Sequence, residues 1–354
     1  MKNEIYLVAL TDHEILKEHI KTIEPIVTSL KVIKISKTKG FLSLLKSIFN
    51  KLPFQILINY DKQIAKSIKN LASKWKPDHI FCQLPRMAEY AIPLPYPKTI
   101  DYMDAFGIGM ERRANVVSGI TSKIYALEAK RMKIYEKNIF EKFDNHIIIS
   151  QQDANQININ KSHEIKVIPN GIDTKFFLPQ DKKAKYDIGF IGNMGYPPNI
   201  DAAEYLINKL RPNLSNNLTY LIAGARPDKR VKLLADKNVC ITGWIDDVRE
   251  AYSDCKIFVV PMWSGTGQQN KIMEAMAMGI PCITTSPVNN AIKGRHGIEL
   301  LVADNESEFR QCIVTLLNDT KKYKEIQKNA LIFVQNNFSW SHSVNMLLET
   351  MASK

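Results

Sequence analysis

Two charged residues, Lys271 and Glu274, directly follow a short glycine-containing loop, Ser264-Gly-Thr-Gly267. The glycines let backbone N–H groups approach a phosphate closely, and the positive end of a helix that begins there adds to the attraction. A carboxylate about one turn into that helix suits a pair of ribose hydroxyls, because it accepts hydrogen bonds and carries negative charge. The stretch therefore predicts a site for a nucleotide diphosphate.

Three elements must hold this loop in place. The apolar run 256–261 predicts a buried strand before it, and residues 271–278 are strong helix formers. Gly279 and Pro281 are the usual signals that end a helix, and 282–285 begin the next strand. The alternative is an ordinary helix–strand unit of an α/β domain that binds nothing here.

Two sequence motifs support the first interpretation. The run Asn270-Lys-Ile-Met-Glu-Ala-Met-Ala-Met-Gly-Ile-Pro281 resembles the signature of group-1 retaining glycosyltransferases, the large family 4 of GT-B fold. The usual form is Glu-Gly-Phe-Gly-x-x-x-x-Glu-Ala-Met-Ala-x-Gly-x-Pro. The Pro-Asn-Gly-Ile-Asp stretch from Pro169 is similar to the family's second signature. The most similar members are exopolysaccharide sugar transferases found with PEP-CTERM/exosortase systems, where the loop reads Gly-x-Gly-x-x-Asn-Lys.

The resemblance implies roles for particular residues. In the family the second glutamate, here Glu274, holds the nucleotide ribose. The first glutamate falls on Thr266, which removes an acid expected to contact the sugar ring. The residues expected to bind the nucleotide sugar are Glu274, Gly265, Thr266, Gly267, Gln268, Asn270, Gly192, Asn193, Arg226 and Ile245.

The positive charge that neutralises the diphosphate must come from an unusual place. Many relatives supply an arginine and a lysine after the first strand of the second domain, but the loop 192–199 contains neither. Lys271 is the first candidate and Arg226 is the second. The resemblance also implies that the backbone near Ile245 meets the nucleobase.

Asp101 and Asp104 lie at the carboxyl end of a strand predicted over 98–104, which is where open α/β sheets bind ligands. The similar sugar transferases also carry Asp-x-x-Asp here, and this implies a catalytic role beside Lys271 on the acceptor side. The alternative is structural, in which the two carboxylates cap the following helix or pair with Arg112 or Arg113.

The predicted fold class is α/β, with two facing doubly wound Rossmann-like domains as in GT-B proteins. The predicted boundaries place an acceptor-side domain at 1–178, a linker at 179–185 and a nucleotide-sugar domain at 186–335. Residues 336–354 are then a C-terminal helix that crosses back to the first domain.

Composition narrows the class further. A length of 354 residues suits two ordinary α/β domains. No apolar run reaches the roughly 18 residues that span a bilayer, and neither a signal peptide nor a lipidation motif is visible, so we expect a cytoplasmic protein. The histidines and the five cysteines show no ligand spacing, which predicts no metal, and the resemblance implies no cofactor beyond the nucleotide-sugar substrate.

The net charge of +12 predicts an anionic partner. No nucleic-acid-binding module is visible. The segment 31–52 has lysines and an apolar helical pattern, which suits an anionic membrane surface and hence a peripheral position on the inner face of the membrane. It equally suits a core-facing helix with solvated lysines, and the overall charge can serve solubility alone.

We therefore expect a retaining glycosyltransferase that moves a sugar from a nucleotide diphosphate sugar to a polysaccharide or lipid-linked acceptor. The alternative is an inactive GT-B scaffold in a polysaccharide-synthesis complex, suggested by the missing first glutamate. Family members usually open with one more strand, glycine-rich loop and helix, so we also expect the first domain to lack about one βα unit, roughly 30 residues.

Overall fold

The computed structural model describes residues 3–14, 17–35, 51–157, 165–264 and 267–352. They form two compact units. The first comprises Met1–Ile148, Asp153–Val167 and Thr350–Lys354, and the second comprises Ile149–Gln152 and Ile168–Glu349.

The first unit alternates strands and helices. In chain order, the elements are β1 Tyr6–Thr11, α1 Lys17–Ile23, β2 Ser29–Lys34, α2 Phe54–Asn59, α3 Lys62–Trp75, β3 Ile80–Gln83, α4 Ala88–Ala91, β4 Lys98–Asp101, α5 Phe106–Val116, α6 Gly119–Phe140, β5 Asn145–Ile148, α7 Gln151–Ile157 and β6 Lys166–Val167. Strands β3, β4, β5 and β6 form a parallel sheet in that order, and β1 pairs in parallel with β2 in a two-stranded sheet.

The predictions of a membrane-binding segment at 31–52 and of a missing βα unit are not tested by this unit and stay predictions. Most of the basic segment 31–52 falls on residues 36–50, outside the described residues. The β1–β2 pairing does not decide whether a βα unit is missing. Among the described residues, no helix is both long and apolar enough to cross a membrane.

The second unit is a doubly wound α/β domain. Its elements are β7 Tyr186–Ile191, α8 Pro197–Tyr205, β8 Tyr220–Ala223, α9 Lys229–Lys232, β9 Val239–Ile241, α10 Val248–Ser253, β10 Cys255–Val260, α11 Asn270–Ala277, β11 Cys282–Thr284, α12 Ser286–Ile292, β12 Leu301–Val302, α13 Glu306–Asn318, α14 Thr320–Asn337 and α15 Trp340–Ala352.

The six parallel strands of this unit have the order β12-β11-β10-β7-β8-β9. From β7 the chain adds β8 and β9 on one side, and it then crosses over to add β10, β11 and β12 on the other side. The order of the strands therefore reverses between β7 and β10, as in Rossmann domains. Ligands of open α/β sheets bind in the crevice beyond the carboxyl ends of the strands at such a reversal. The loops that follow β7 and β10 are thus the expected place for a ligand.

Burial of helix α11 fixes the direction of its polar residues. Five of its eight residues are buried in the core, namely Ile272, Met273, Ala275, Met276 and Ala277. Lys271 and Glu274, one turn apart, share the remaining face. The helix stops as predicted, because Gly279 adopts a φ of +71° and Ile280 N–H donates to the carbonyl of Ala275.

The strand predicted over 98–104 is shorter in the structure. It ends at Asp101 because Met103 adopts a φ of +60°, which breaks the extended backbone. Asp104 therefore belongs to the turn after β4.

Candidate active site

The loops after β7 and β8 approach each other so closely that a side chain would not fit between them. A Cβ on Gly224 would lie 1.8 Å from the carbonyl oxygen of Gly192, and Gly224 also has a φ of +135°. Only glycine accepts this combination. The loop after β7 is fixed further by Met194 N–H, which donates to Ala225 O at 2.8 Å. The floor of the crevice is therefore built from backbone.

Lys271 brings its ammonium group to this floor. Its Nζ donates to Asn199 Oδ1 at 2.5 Å and lies 5.0 Å from the ring centroid of Phe190. A Cβ on Gly192 would lie 3.1 Å from the same Nζ. The switch point of the sheet therefore carries a cation between the loops after β7 and β10.

The surroundings of Lys271 weaken its hold on the proton. Burial lowers the pKa of Lys271 to about 8, and the neighbouring carboxylate of Glu274 only partly opposes this effect. An ammonium group in such a site is stabilised when an anion binds, because the negative charge of the anion replaces the solvation that the group has lost on burial.

Glu274 is held by a buried tyrosine. The hydroxyl of Tyr252, which is fully buried in α10, donates to Glu274 Oε2 at 2.7 Å. Burial raises the pKa of Glu274, while this hydrogen bond and Lys271 lower it. Within the described part of the chain, only Oε2 of this carboxylate has a hydrogen bond, so Oε1 is left for a ligand.

The two motifs singled out in the sequence meet at Gln268. Its side-chain amide accepts from Asn170 N–H at 2.8 Å and donates to Asn170 O at 2.8 Å. The Pro-Asn-Gly turn is packed from its other side by α15, since Ser343 Oγ donates to Pro169 O at 2.7 Å. Gln268 therefore uses its amide to fix the loop against this turn, and ligand contact by its side chain remains a prediction.

The two predicted catalytic aspartates of the first unit, Asp101 and Asp104, occupy different environments. Asp101 is buried and its Oδ1 accepts from Met103 N–H at 2.9 Å. Burial, together with the charge of Asp104, raises the pKa of Asp101 to about 6. Asp104 lies in the turn and is exposed as a residue. Its pKa is nevertheless raised, because its carboxyl is partly buried and Asp153 is nearby, while Arg112 has a lowering effect.

The other predicted residues lie in or next to loops of the second unit. Asn193 accepts from Asn199 Nδ2 through its carbonyl at 2.9 Å. Arg226 is exposed, with a φ of +55° in the loop after β8. Ile245 follows the edge strand β9, two strands from β7, where it packs against the core. Gly267 and Asn270 flank the start of α11, and Gly265 and Thr266 lie outside the described residues.

Comparisons with known proteins show which proteins this chain resembles. Residues 185–319 match the family model described as glycosyl transferases group 1. The second unit is therefore similar to group 1 glycosyltransferases, and the fold of the chain is that of GT-B proteins. An uncharacterized 44.6 kDa protein from the cps region of Klebsiella pneumoniae is 24% identical over 323 residues, covering 84% of this chain and 79% of that protein.

Two further proteins show how broad the similarity is. A UDP-galactose:α-D-GlcNAc-diphosphoundecaprenol α-1,3-galactosyltransferase of Escherichia coli is 26% identical over 206 residues, which span 50% of this chain and 51% of that enzyme. The solved structure of Anabaena HepE in complex with UDP and glucose superposes with a TM-score of 0.71 and 14% identity, covering 98% of this chain and 92% of HepE.

Two residues of this candidate site were not expected from the sequence. Asn199 holds Lys271, and its place after Pro197-Pro198 at the start of a helix was a usable signal, since a buried amide there must find partners. Tyr252 holds Glu274 across 22 positions of the chain. No local pattern reveals that contact, because it forms only when α10 and α11 have both folded onto the sheet.

Proposed function

We propose that the chain transfers a sugar, with retention, from a uridine diphosphate sugar to a lipid-linked or polysaccharide acceptor. The pairing of Lys271 and Glu274 on one face of α11 at the switch point carries this proposal. The ammonium group suits the diphosphate and the carboxylate suits the ribose hydroxyls. The choice of uridine is supported by HepE, whose structure is a complex with UDP and glucose, and by the galactosyltransferase, whose name includes UDP-galactose.

The proposed catalytic contribution of the second unit acts on the leaving group. Negative charge grows on the diphosphate as its bond to the sugar breaks, and the sugar gains oxocarbenium character. We propose that the N–H groups at the start of α11 and the ammonium of Lys271 stabilise this charge without rearranging. We propose that they do so without a metal.

The acceptor is proposed to bind on the first unit, where Asp104 is exposed at the carboxyl end of β4. A raised pKa makes this carboxylate a better proton acceptor for a sugar hydroxyl. Asp101, which is buried and bonded to Met103, instead fixes the turn that presents Asp104. The inactive scaffold is not favoured, since Lys271 and Glu274 are both present and held by partners.

The experiment that tests this function has two steps. Calorimetry against a panel of nucleotide diphosphate sugars identifies the donor, and hydrolysis or transfer of the tightest binder is then followed with undecaprenyl diphosphate sugars as acceptors. We expect a uridine diphosphate sugar to bind most tightly and to be turned over. Binding of none of them, or binding without any turnover, contradicts the proposed function.

Donor binding is expected to weaken as the pH rises above about 8. Lys271 in the free protein loses its proton near that pH, whereas a bound diphosphate holds the proton to higher pH. Affinity should therefore fall by no more than about twofold between pH 7 and 8 and by up to about tenfold for each further unit. Calorimetry with a diphosphate sugar checks this, since its phosphates do not titrate in this range. The Lys271→Met variant should give a flat profile, and a flat wild-type profile contradicts the assignment.

A further inference from the structure

An exposed apolar row runs along helix α6 in the first unit. Ile120 is 77% exposed, Ile124 is 49% exposed, Leu127 is 44% exposed and Ile134 is 51% exposed. Their spacings of three, four and seven put them on one side of the helix. Val116, at the end of α5, is 86% exposed next to the start of this row. Isolated exposed aliphatic residues are ordinary, but an aligned row of this kind marks an interaction surface.

A row of lysines flanks the apolar row. Lys123, Lys130 and Lys137 are seven residues apart and exposed, so they line up on an adjacent side of α6. Arg112 and Arg113, near the end of α5, are exposed as well. The helix hairpin formed by α5 and α6 therefore presents hydrophobic side chains and positive charge together.

The carboxylates of the hairpin do not neutralise the lysine row. Glu128 is buried and accepts from Phe54 N–H at 2.8 Å, and Glu136 is buried and accepts from Gly107 N–H at 3.2 Å. Glu111 pairs with Lys133 at 2.8 Å. All three acids within the two helices are thus engaged away from Lys123, Lys130 and Lys137. Glu141, directly after α6, is exposed four positions from Lys137, so it can offset the charge at that end of the row only.

We propose that this face of α6 docks on an anionic membrane surface. Hydrophobic residues flanked by lysines on one helix suit the interface between lipid headgroups and acyl chains. Charge decides between the candidate occupants. Residues 36–50 contain Lys37, Lys39 and Lys46 and no acid, so they would repel the lysine row. In a second copy packed antiparallel on the same row, lysines would face lysines. The proposal does not depend on the proposed sugar transfer.

The test uses the full-length protein and vesicle co-flotation at low salt. Wild type is expected to bind vesicles of phosphatidylglycerol and phosphatidylcholine and to ignore pure phosphatidylcholine. The combined change Lys123→Gln, Lys130→Gln and Lys137→Gln should reduce partitioning on the order of 100-fold. Changing Ile120, Ile124 and Leu127 to glutamine should reduce it by roughly tenfold or more.

Matched variants in the second unit separate this surface from overall charge and hydrophobicity. Lys321, Lys324 and Lys328 on α14 are exposed, and their change to glutamine removes the same charge. Ile332 is 45% exposed on the same helix and is the aliphatic control. Equal losses in the α14 and α6 variants overturn the proposal. So does unchanged binding in the α6 variants, including the case in which sedimentation shows that they convert a dimer to a monomer.

Discussion

Replacing Lys271 with methionine is expected to reduce sugar transfer by roughly 10²- to 10³-fold, which is the typical effect of removing one preorganised group that stabilises developing negative charge. Methionine has a similar length and cannot carry charge, so it replaces the ammonium above the Phe190 ring with an uncharged group of similar reach. Removal of an ammonium group that burial destabilises opposes the loss of its hydrogen bond to the buried Asn199 Oδ1, so the melting temperature should change little. Steady-state kinetics with the donor found by calorimetry measures the effect, and the loss should appear both in kcat and, through weaker donor binding, in KM.

Arg226→Met is the matched comparison for this variant, since Arg226 is the other cation expected near the diphosphate. Its guanidinium lies on an exposed loop and not at the switch point, so a smaller loss is expected. Transfer by Lys271→Met within about threefold of wild type, or a larger loss in Arg226→Met, would mean that Lys271 does not hold the leaving group.

The change Glu274→Gln should weaken binding of the nucleotide by about 1.5–3 kcal/mol, since a charged acceptor for the ribose hydroxyls becomes a neutral amide. That corresponds to roughly a 10- to 150-fold rise in Kd. Tyr252 can still donate to the amide oxygen, so thermal stability should change little. Calorimetry with UDP measures the affinity, and the Tyr252→Phe variant should show a smaller loss because the carboxylate remains.

Deoxy nucleotides show whether the carboxylate contacts the ribose. Wild type should bind 2′-deoxy-UDP or 3′-deoxy-UDP less tightly than UDP, whereas Glu274→Gln should no longer distinguish the deoxy form that lacks the contacted hydroxyl. Interacting groups give such non-additive losses. If the losses from the substitution and from the missing hydroxyl simply add for both deoxy forms, Glu274 does not bind the ribose.

The fold could be predicted well because its signals are local. The apolar run before the glycine loop, and Gly279 with Pro281 after the helix, reproduce β10, α11 and β11 to within a residue or two. The family motifs then supplied the GT-B architecture, which the structural comparisons confirm. The strand at 98–104 was predicted too long, because the positive φ of Met103 is set by tertiary context.

The site could be predicted only in part, because contacts between distant parts of the chain complete it. Lys271 and Glu274 lie within one helix, so their spacing alone places them on one face. Their partners Asn199 and Tyr252 come from other helices, and only the packed sheet brings them there. The pairing of Gln268 with Asn170 likewise joins two motifs whose sequences reveal nothing of the contact.

The pairing of Gln268 with Asn170 provides a natural probe of the loop that precedes α11. The N–H of Asn170 is bonded to a side chain 98 positions later in the sequence and not to a backbone carbonyl of a helix or strand. Its exchange with deuterium from solvent therefore requires Gln268 to move away. A donor that immobilises the loop should slow exchange at this amide, so one peptide covering the Pro-Asn-Gly turn reports occupancy of the crevice in a mass-spectrometric experiment.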